Sequence, residues 1–243
     1  WDYLSGGHTT ERIGYLAVES GLHTFGNLVW EAGVIGKLNH TPKTIHFKRQ
    51  FKNKPVVLTQ VGSYHGSDAV VTRTSEVSKS SFSVYLQEEE ANDGTHTNEK
   101  VYYLAIEQGF NKVKGLHFEA GTTGSIVDET WYPVCFFDNF SSQVLLANIQ
   151  TVNGSDPVAL RFREAPYDCL EIFCEEEQSA NEETGHNDEN VGYLVIEGTG
   201  DVQVRWMEAY PDSAYIGTTK NRMDSVSETG KEIRVYPNPT GGL

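Results

Sequence analysis

One feature constrains this chain more than any other: it repeats itself. His8-Thr9-Thr10-Glu11-Arg12-Ile13-Gly14-Tyr15-Leu16-Ala17-Val18-Glu19-Ser20-Gly21 returns as His96-Thr97-Asn98-Glu99-Lys100-Val101-Tyr102-Tyr103-Leu104-Ala105-Ile106-Glu107-Gln108-Gly109, an offset of 88 residues. A third copy runs from His186 through Glu189 to Tyr193 and Glu197. At the same spacing Gly66-Ser67-Asp68 answers to Gly154-Ser155-Asp156, and Trp30-Glu31-Ala32-Gly33 to Phe118-Glu119-Ala120-Gly121. A copied block must fold as a copied supersecondary unit. The 243 residues therefore hold roughly two and a half units. The reading divides the chain into a partial repeat over 1–47, full repeats over 48–136 and 137–209, and a linker with a truncated segment over 210–243. The chain opens mid-unit, which makes Trp1 an expected fragment or processing boundary.

Within a unit the periodicity is that of strands. Phe82, Val84 and Leu86 alternate with Ser83, Tyr85 and Gln87, the two-residue period of a half-buried strand. Val56-Val57-Leu58, Leu145-Leu146, Tyr103 to Ile106 and Tyr193 to Ile196 are apolar runs suited to strands covered on both faces. Gly66-Ser67-Asp68 and Asn92-Asp93-Gly94 carry turn chemistry. No helical periodicity interrupts them. The expected fold is all-β: tandem antiparallel sandwiches of five or six short strands each. No apolar run approaches the roughly 18 residues of a membrane-crossing helix, so no membrane span is expected.

Acidic residues number 34 against 19 basic, a formal charge of −15. Such a surface repels phosphate backbones and argues against nucleic-acid partners. Neutral glycans and cations stay open. Three cysteines, Cys135, Cys169 and Cys174, fall short of a disulfide scaffold. Cys169 and Cys174 are expected as apolar core thiols rather than a bridge.

The strand track resembles the H-type lectin domain, a small six-stranded sandwich. The matching pieces are the Phe51-x-x-x-Pro55 lead-in to Val56-Val57-Leu58, the Val77 to Phe82 step, and the Tyr103-Leu104-Ala105 strand. The resemblance covers about 48–107 and again 137–197 and implies a lectin-like, carbohydrate-binding role. It also implies homo-oligomers, since such domains often trimerise. The family's arginine after the first loop is Ala69 and Pro157 here, and its Thr-Trp is Gln87-Glu88 and Glu175-Glu176, so its sugar specificities are not carried over. Tyr236-Pro237-Asn238-Pro239-Thr240-Gly241 looks like the opening of a type IX secretion sorting domain. That likeness implies a secreted or cell-surface bacterial protein, often a polysaccharide-degrading enzyme with accessory modules.

Candidate site residues lie in the repeated turns. His96 with Glu99, and His186 with Glu189, can donate to and accept from sugar hydroxyls, or form a structural clasp; His8 with Glu11 repeats the pattern. Asp68 and Asp156 can accept sugar hydroxyls or close their own turns. Arg73 and Arg161 can bind an acidic sugar or form surface ion pairs. Tyr64 and Trp131 sit in loop-like contexts suited to stacking on a sugar face, whereas Trp30 and Trp206 read as core. The acidic run Glu88-Glu89-Glu90 to Glu99 offers hard ligands for calcium, with Glu89 and Asp93 the candidates, or is a solvated turn. A zinc site is not expected, because each unit lacks a third soft ligand nearby. No Gly-x-Ser-x-Gly, His-Glu-x-x-His or phosphate loop occurs, so no catalytic residues or cofactor are expected. The expected function is a non-catalytic carbohydrate-binding module attached to a polysaccharide-degrading enzyme; the alternatives are a protein-interaction, adhesion or spacer module and a glycoside-cleaving enzyme.

Overall fold

The structure is a computed structural model; it describes residues 14–113, 115–140, 143–165 and 168–198, together with the short strand segments 201–203, 205–206 and 232–235. Among these residues there is no helix. The strands are, in chain order, β1 (Leu16–Ala17), β2 (Gly21–Phe25), β3 (Leu28–Leu38), β4 (Lys43–His46), β5 (Val56–Val61) and β6 (Val70–Ser75). Next come β7 (Ser81–Glu88), β8 (Glu99–Ile106), β9 (Gly109–Val113), β10 (Leu116–Val127), β11 (Tyr132–Cys135) and β12 (Val144–Ile149). Last are β13 (Val158–Ala165), β14 (Cys169–Glu176), β15 (Glu189–Gly198), β16 (Asp201–Gln203), β17 (Arg205–Trp206) and β18 (Glu232–Val235).

All pairings are antiparallel and build five sheets: β17-β2-β3-β8-β5, β4-β7-β6, β12-β15-β10-β9, β11-β14-β13 and β1-β18-β16. The boundaries drawn at 47/48 and 136/137 cut through these sheets. β3 bonds β8 and β10 bonds β15, so hydrogen bonding groups residues 21–106 and 109–198. The expected Trp206 core position lies on β17, and most of 210–243, including the sorting-domain-like stretch, lies outside the described residues.

Three cores hold the layers together. Ile35, Val57, Val101 and Ala105 of the first large sheet pack on Phe82, Val84 and Leu86 of β7. Val127, Ile149 and Val191 pack on Val134, Val158 and Ile172 in the same manner. Between the halves, Phe25, Trp30, Val56 and Ile106 meet Phe118, Val144, Leu194 and Ile196. Adjacent residues thus serve different cores, as Val56 and Val57 do, which is why these strands read as unbroken apolar runs. Trp30 is completely buried, with its ring 4.8 Å from that of Phe118. The free edge of β5 is closed by side chains of the second half: Val57 donates its amide to Gln150 Oε1 at 2.5 Å and Thr59 to Asn148 Oδ1 at 3.4 Å. An open strand edge would otherwise leave those amides unpaired or available to another chain.

The Glu-Ala-Gly repeat has a geometric reason. Gly33 faces Tyr103 across the β3–β8 ladder, and Gly121 faces Tyr193 across β10–β15. A Cβ on Gly33 would stand 2.3 Å from the Tyr103 ring, and one on Gly121 2.6 Å from the Tyr193 hydroxyl. Only glycine lets the tyrosine lie flat over the partner strand. The tyrosine hydroxyls then reach Glu31 Oε1 (2.8 Å) and Glu119 Oε1 (3.2 Å). The second carboxylate oxygens accept the Lys48 amide (2.8 Å) and the Phe137 amide (2.7 Å), pinning the following loops.

The cysteine expectation is corrected. Cys135 and Cys169 stand opposite each other on β11 and β14, with Cα atoms 4.0 Å apart, and form a disulfide. Cys174 alone is the buried free thiol expected.

Candidate functional site

The His–Glu pairs are clasps rather than open hydrogen-bonding groups. Glu99 is 1% exposed and His96 3% exposed. One Glu99 oxygen accepts the amides of His65 (2.6 Å) and Gly66 (2.8 Å), while the other accepts the Ser63 hydroxyl. Burial pushes the Glu99 carboxyl up, but the Ser63 hydroxyl, the two amides and the His65 ring outweigh it and hold it at about 2. His96 Nδ1 lies 2.7 Å from Glu88 Oε1, and Nε2 lies 3.5 Å from Glu99 Oε1. In the second half Glu189 accepts the Asn153 (3.0 Å) and Gly154 (3.2 Å) amides and the Thr151 hydroxyl. His186 bridges Glu176 (3.1 Å) and Glu189 (3.3 Å). Burial drives the His186 ring down, yet these two carboxylates raise it overall. Each ring packs on the turn glycine: a Cβ on Gly66 or Gly154 would sit 2.5 or 2.4 Å from the ring carbon. The repeated Gly-Ser-Asp and His-x-x-Glu motifs are therefore two halves of one clasp. His96, Glu99, His186 and Glu189, the expected sugar contacts, are buried within these clasps. His8 and Glu11 lie outside the described residues.

Arg73 is also withdrawn from the surface. It is 1% exposed and donates to the carbonyls of Asp156 (2.6 Å) and Gly154 (2.9 Å), with Glu189 at 3.4 Å. It ties β6 to the turn of the second half. Arg161, 88 residues on, is an exposed side chain facing Glu175 at 3.6 Å. Gln87 Nε2 donates to Ser155 O (2.7 Å) and the Glu90 amide to Glu177 (2.7 Å) along the same junction.

The structure places the calcium candidates Glu89 and Asp93 as follows. Glu89 is buried, and Asp93 Oδ1 accepts the Thr95 amide at 2.8 Å, closing its own turn. The donor groups that do converge are Asp68, Glu88 and His96, and separately Glu90, Asp156 and Glu176, each set with ligand atoms within 4.8 Å of one another. Burial, and then the neighbouring Asp156, Glu177 and Glu176, push Glu90 up to about 7. This junction borders a groove of about 490 Å3 lined by His40, Tyr85, Glu88, Glu90, Asn92 and Asp156. Sequence reasoning missed Glu88, Glu90 and Glu176 as individual ligands, because nothing in a run of glutamates says which one turns inward.

Both expected aromatic platforms are accessible. Tyr64 is 81% exposed on the loop after β5, its hydroxyl 3.5 Å from Ser67 O. Trp131 is 38% exposed, edge-on to Phe173 with centroids 4.5 Å apart. The Arg163 guanidinium lies 4.2 Å from the Trp131 ring centre and donates to Glu171 at 2.6 Å. Arg161 pairs with Phe173 in the ladder, and Arg163 with Glu171. The outer face of β11-β14-β13 thus presents two rings bordered by two arginine–glutamate pairs. Phe173, Arg163 and Glu171 were legible only as alternating outward positions of β13 and β14.

The fold and these groups define an all-β protein of packed antiparallel sheets bearing an aromatic, charged outer face. Compared with curated proteins, the chain is similar to Halomucin of Haloquadratum walsbyi, 30% identical over 193 residues; the match takes in 77% of this chain and 2% of the relative's length. No protein-family model matches the chain, and no solved structure matches it.

Proposed function

We propose that the chain is a non-catalytic carbohydrate-binding module of a secreted protein, made of tandem H-type-lectin-like sandwiches and attached to a polysaccharide-degrading enzyme. The observation that carries the reading is the outer face of β11-β14-β13. There Trp131 and Phe173 offer apolar surface to a sugar ring while Arg161, Arg163, Glu171 and Glu175 stand within reach of its hydroxyls. Tyr64, Asp68 and Asp156 are further accessible contacts. The tandem arrangement is supported by matching registers: Trp30 pairs with Ile106 as Phe118 pairs with Ile196. Export is supported by the Cys135–Cys169 disulfide, a bond favoured in oxidising compartments. The non-catalytic reading is supported by the repeated acids, which are consumed in backbone and histidine hydrogen bonds.

The test is a glycan array followed by calorimetry on any hit. Trp131→Ala should weaken binding about tenfold, about 1.4 kcal/mol, with unchanged melting temperature. A silent array with folded protein, or a hit indifferent to Trp131, sinks the proposal. A spacer or interaction module is the second reading, favoured by the burial of His96, Glu99, His186, Glu189 and Arg73; new reducing ends on incubation with polysaccharides would instead reveal an enzyme.

A further inference from the structure

We infer that Asp68, Glu88 and His96 form a binding site for a single divalent cation of the zinc class. The three residues come from the turn before β6, the end of β7 and the loop before β8, and the structure brings one ligand atom of each within 4.8 Å of the others. Two carboxylate oxygens and an imidazole nitrogen are donors that Zn2+ accepts, the imidazole favouring it over the all-oxygen cations, with the remaining position left for water. Donors about 2.1 Å from a tetrahedral ion stand roughly 3.4 Å apart. Reaching that spacing needs the exposed Asp68 side chain to turn toward its two buried partners and the 2.7 Å His96–Glu88 contact to open.

Two observations besides the clustering point to a ligand. Glu88 Oε2 has no hydrogen-bond partner, although the Glu88 side chain is only 1% exposed. A buried carboxylate oxygen left bare costs a full desolvation penalty, and a cation removes it. The second is the far side of the imidazole. His96 Nε2 faces Glu99 Oε1 at 3.5 Å, the carboxylate–histidine arrangement that orients a metal-ligating ring. Nδ1 is then the ligating atom. It lies 2.7 Å from Glu88 Oε1, and a cation held by the imidazole and the Glu88 carboxylate replaces that contact. The sequence expectation against zinc rested on the lack of a third soft ligand nearby; the donor added here is a carboxylate, Asp68, from 28 positions upstream of His96.

The corresponding groups of the second half, Asp156 and Glu176, are joined by Glu90 from the first. To isolate one site, the test uses the full chain carrying Asp156→Asn, stripped with chelator and titrated with ZnCl2 by calorimetry. A single equivalent of Zn2+ should bind, and adding Asp68→Asn should weaken it about tenfold or more. Asp68 is exposed, so the melting temperature in chelator should not move between the two variants. Equal binding by both variants, or no binding by the folded Asp156→Asn protein, overturns the site. Binding of CaCl2 in place of ZnCl2 overturns the choice of ion. None of these readouts uses a glycan, so the outcome is independent of the lectin-like reading.

Discussion

Glu99 gives the sharpest test of how the repeated acids work. Its carboxyl falls from an ordinary 4.5 to about 2 in the folded chain, because two backbone amides and a hydroxyl are aimed at it from the loop before β6. At about 1.4 kcal/mol per tenfold, the drop corresponds to roughly 3 kcal/mol of preference for the charged, folded form. Glu99→Gln keeps the shape and one acceptor but loses the charge and points an amide group at donors. The expected loss is about 2–3 kcal/mol near neutral pH.

The pH dependence separates this cause from mere misfit. A group whose folded value is depressed contributes stability fully above its unfolded value, about 4.5 here, and loses it as pH falls through about 2. Linkage leaves roughly 1.4 kcal/mol of the wild-type advantage at pH 3, less than half of its neutral value. Urea unfolding of wild type and Glu99→Gln at pH 7 and pH 3 measures both differences. A gap that is the same at the two pH values would refute the charge argument. A gap below about 0.5 kcal/mol at pH 7 would refute the clasp itself.

Glu90 carries the opposite sign: its folded value is raised to about 7, so its contribution is present below about pH 4.5 and lost as pH rises through 7. Glu90→Gln should therefore raise the melting temperature at pH 8 and leave it unchanged at pH 4, and a lowered temperature at pH 8 would contradict the crowding of carboxylates there. Arg73→Met should cost about 3–5 kcal/mol in urea unfolding, because it strands Glu189 and two carbonyls, whereas Arg161→Met should stay within about 0.5 kcal/mol. Reducing Cys135–Cys169, which closes a separation of 34 residues, should lower stability by about 3–4 kcal/mol; an unchanged melting temperature in reductant would count against the bridge.

The strand content was legible because alternation survives in the sequence: Phe82, Val84 and Leu86 all point into one core. The burial of Trp30 was legible from its strand-like context. The disulfide was not legible because Cys169 and Cys174 lie close along one strand, whereas the partner of Cys169 stands across the ladder at Cys135, 34 residues away. The fate of the arginines was not legible at all. Arg73 and Arg161 occupy the same place in the repeat, and only the packing of one half against the other buries the first and leaves the second exposed. A single unit read in isolation contains no information about its neighbour.

That asymmetry bears on where recognition can reside. Among the repeated loop acids and histidines, Glu88, Glu89, His96, Glu99 and their counterparts Glu176, Glu177, His186 and Glu189 are all buried; the turn aspartates Asp68 and Asp156 are not. The residues the two halves share at these loops are mainly those that hold them, because a clasp of buried charges tolerates loss of no single member. The exposed ring positions differ in part: by strand register Trp131 answers to Pro42, and Tyr64 answers to Val152, while Phe173 keeps a ring in Tyr85. A ligand that stacks on rings therefore meets a different surface on each half, so the two halves are expected to differ in what they bind, and Pro42→Trp alone would not transfer the platform, because Tyr85 supplies the second ring but Ser75 stands where Arg163 supplies the cation.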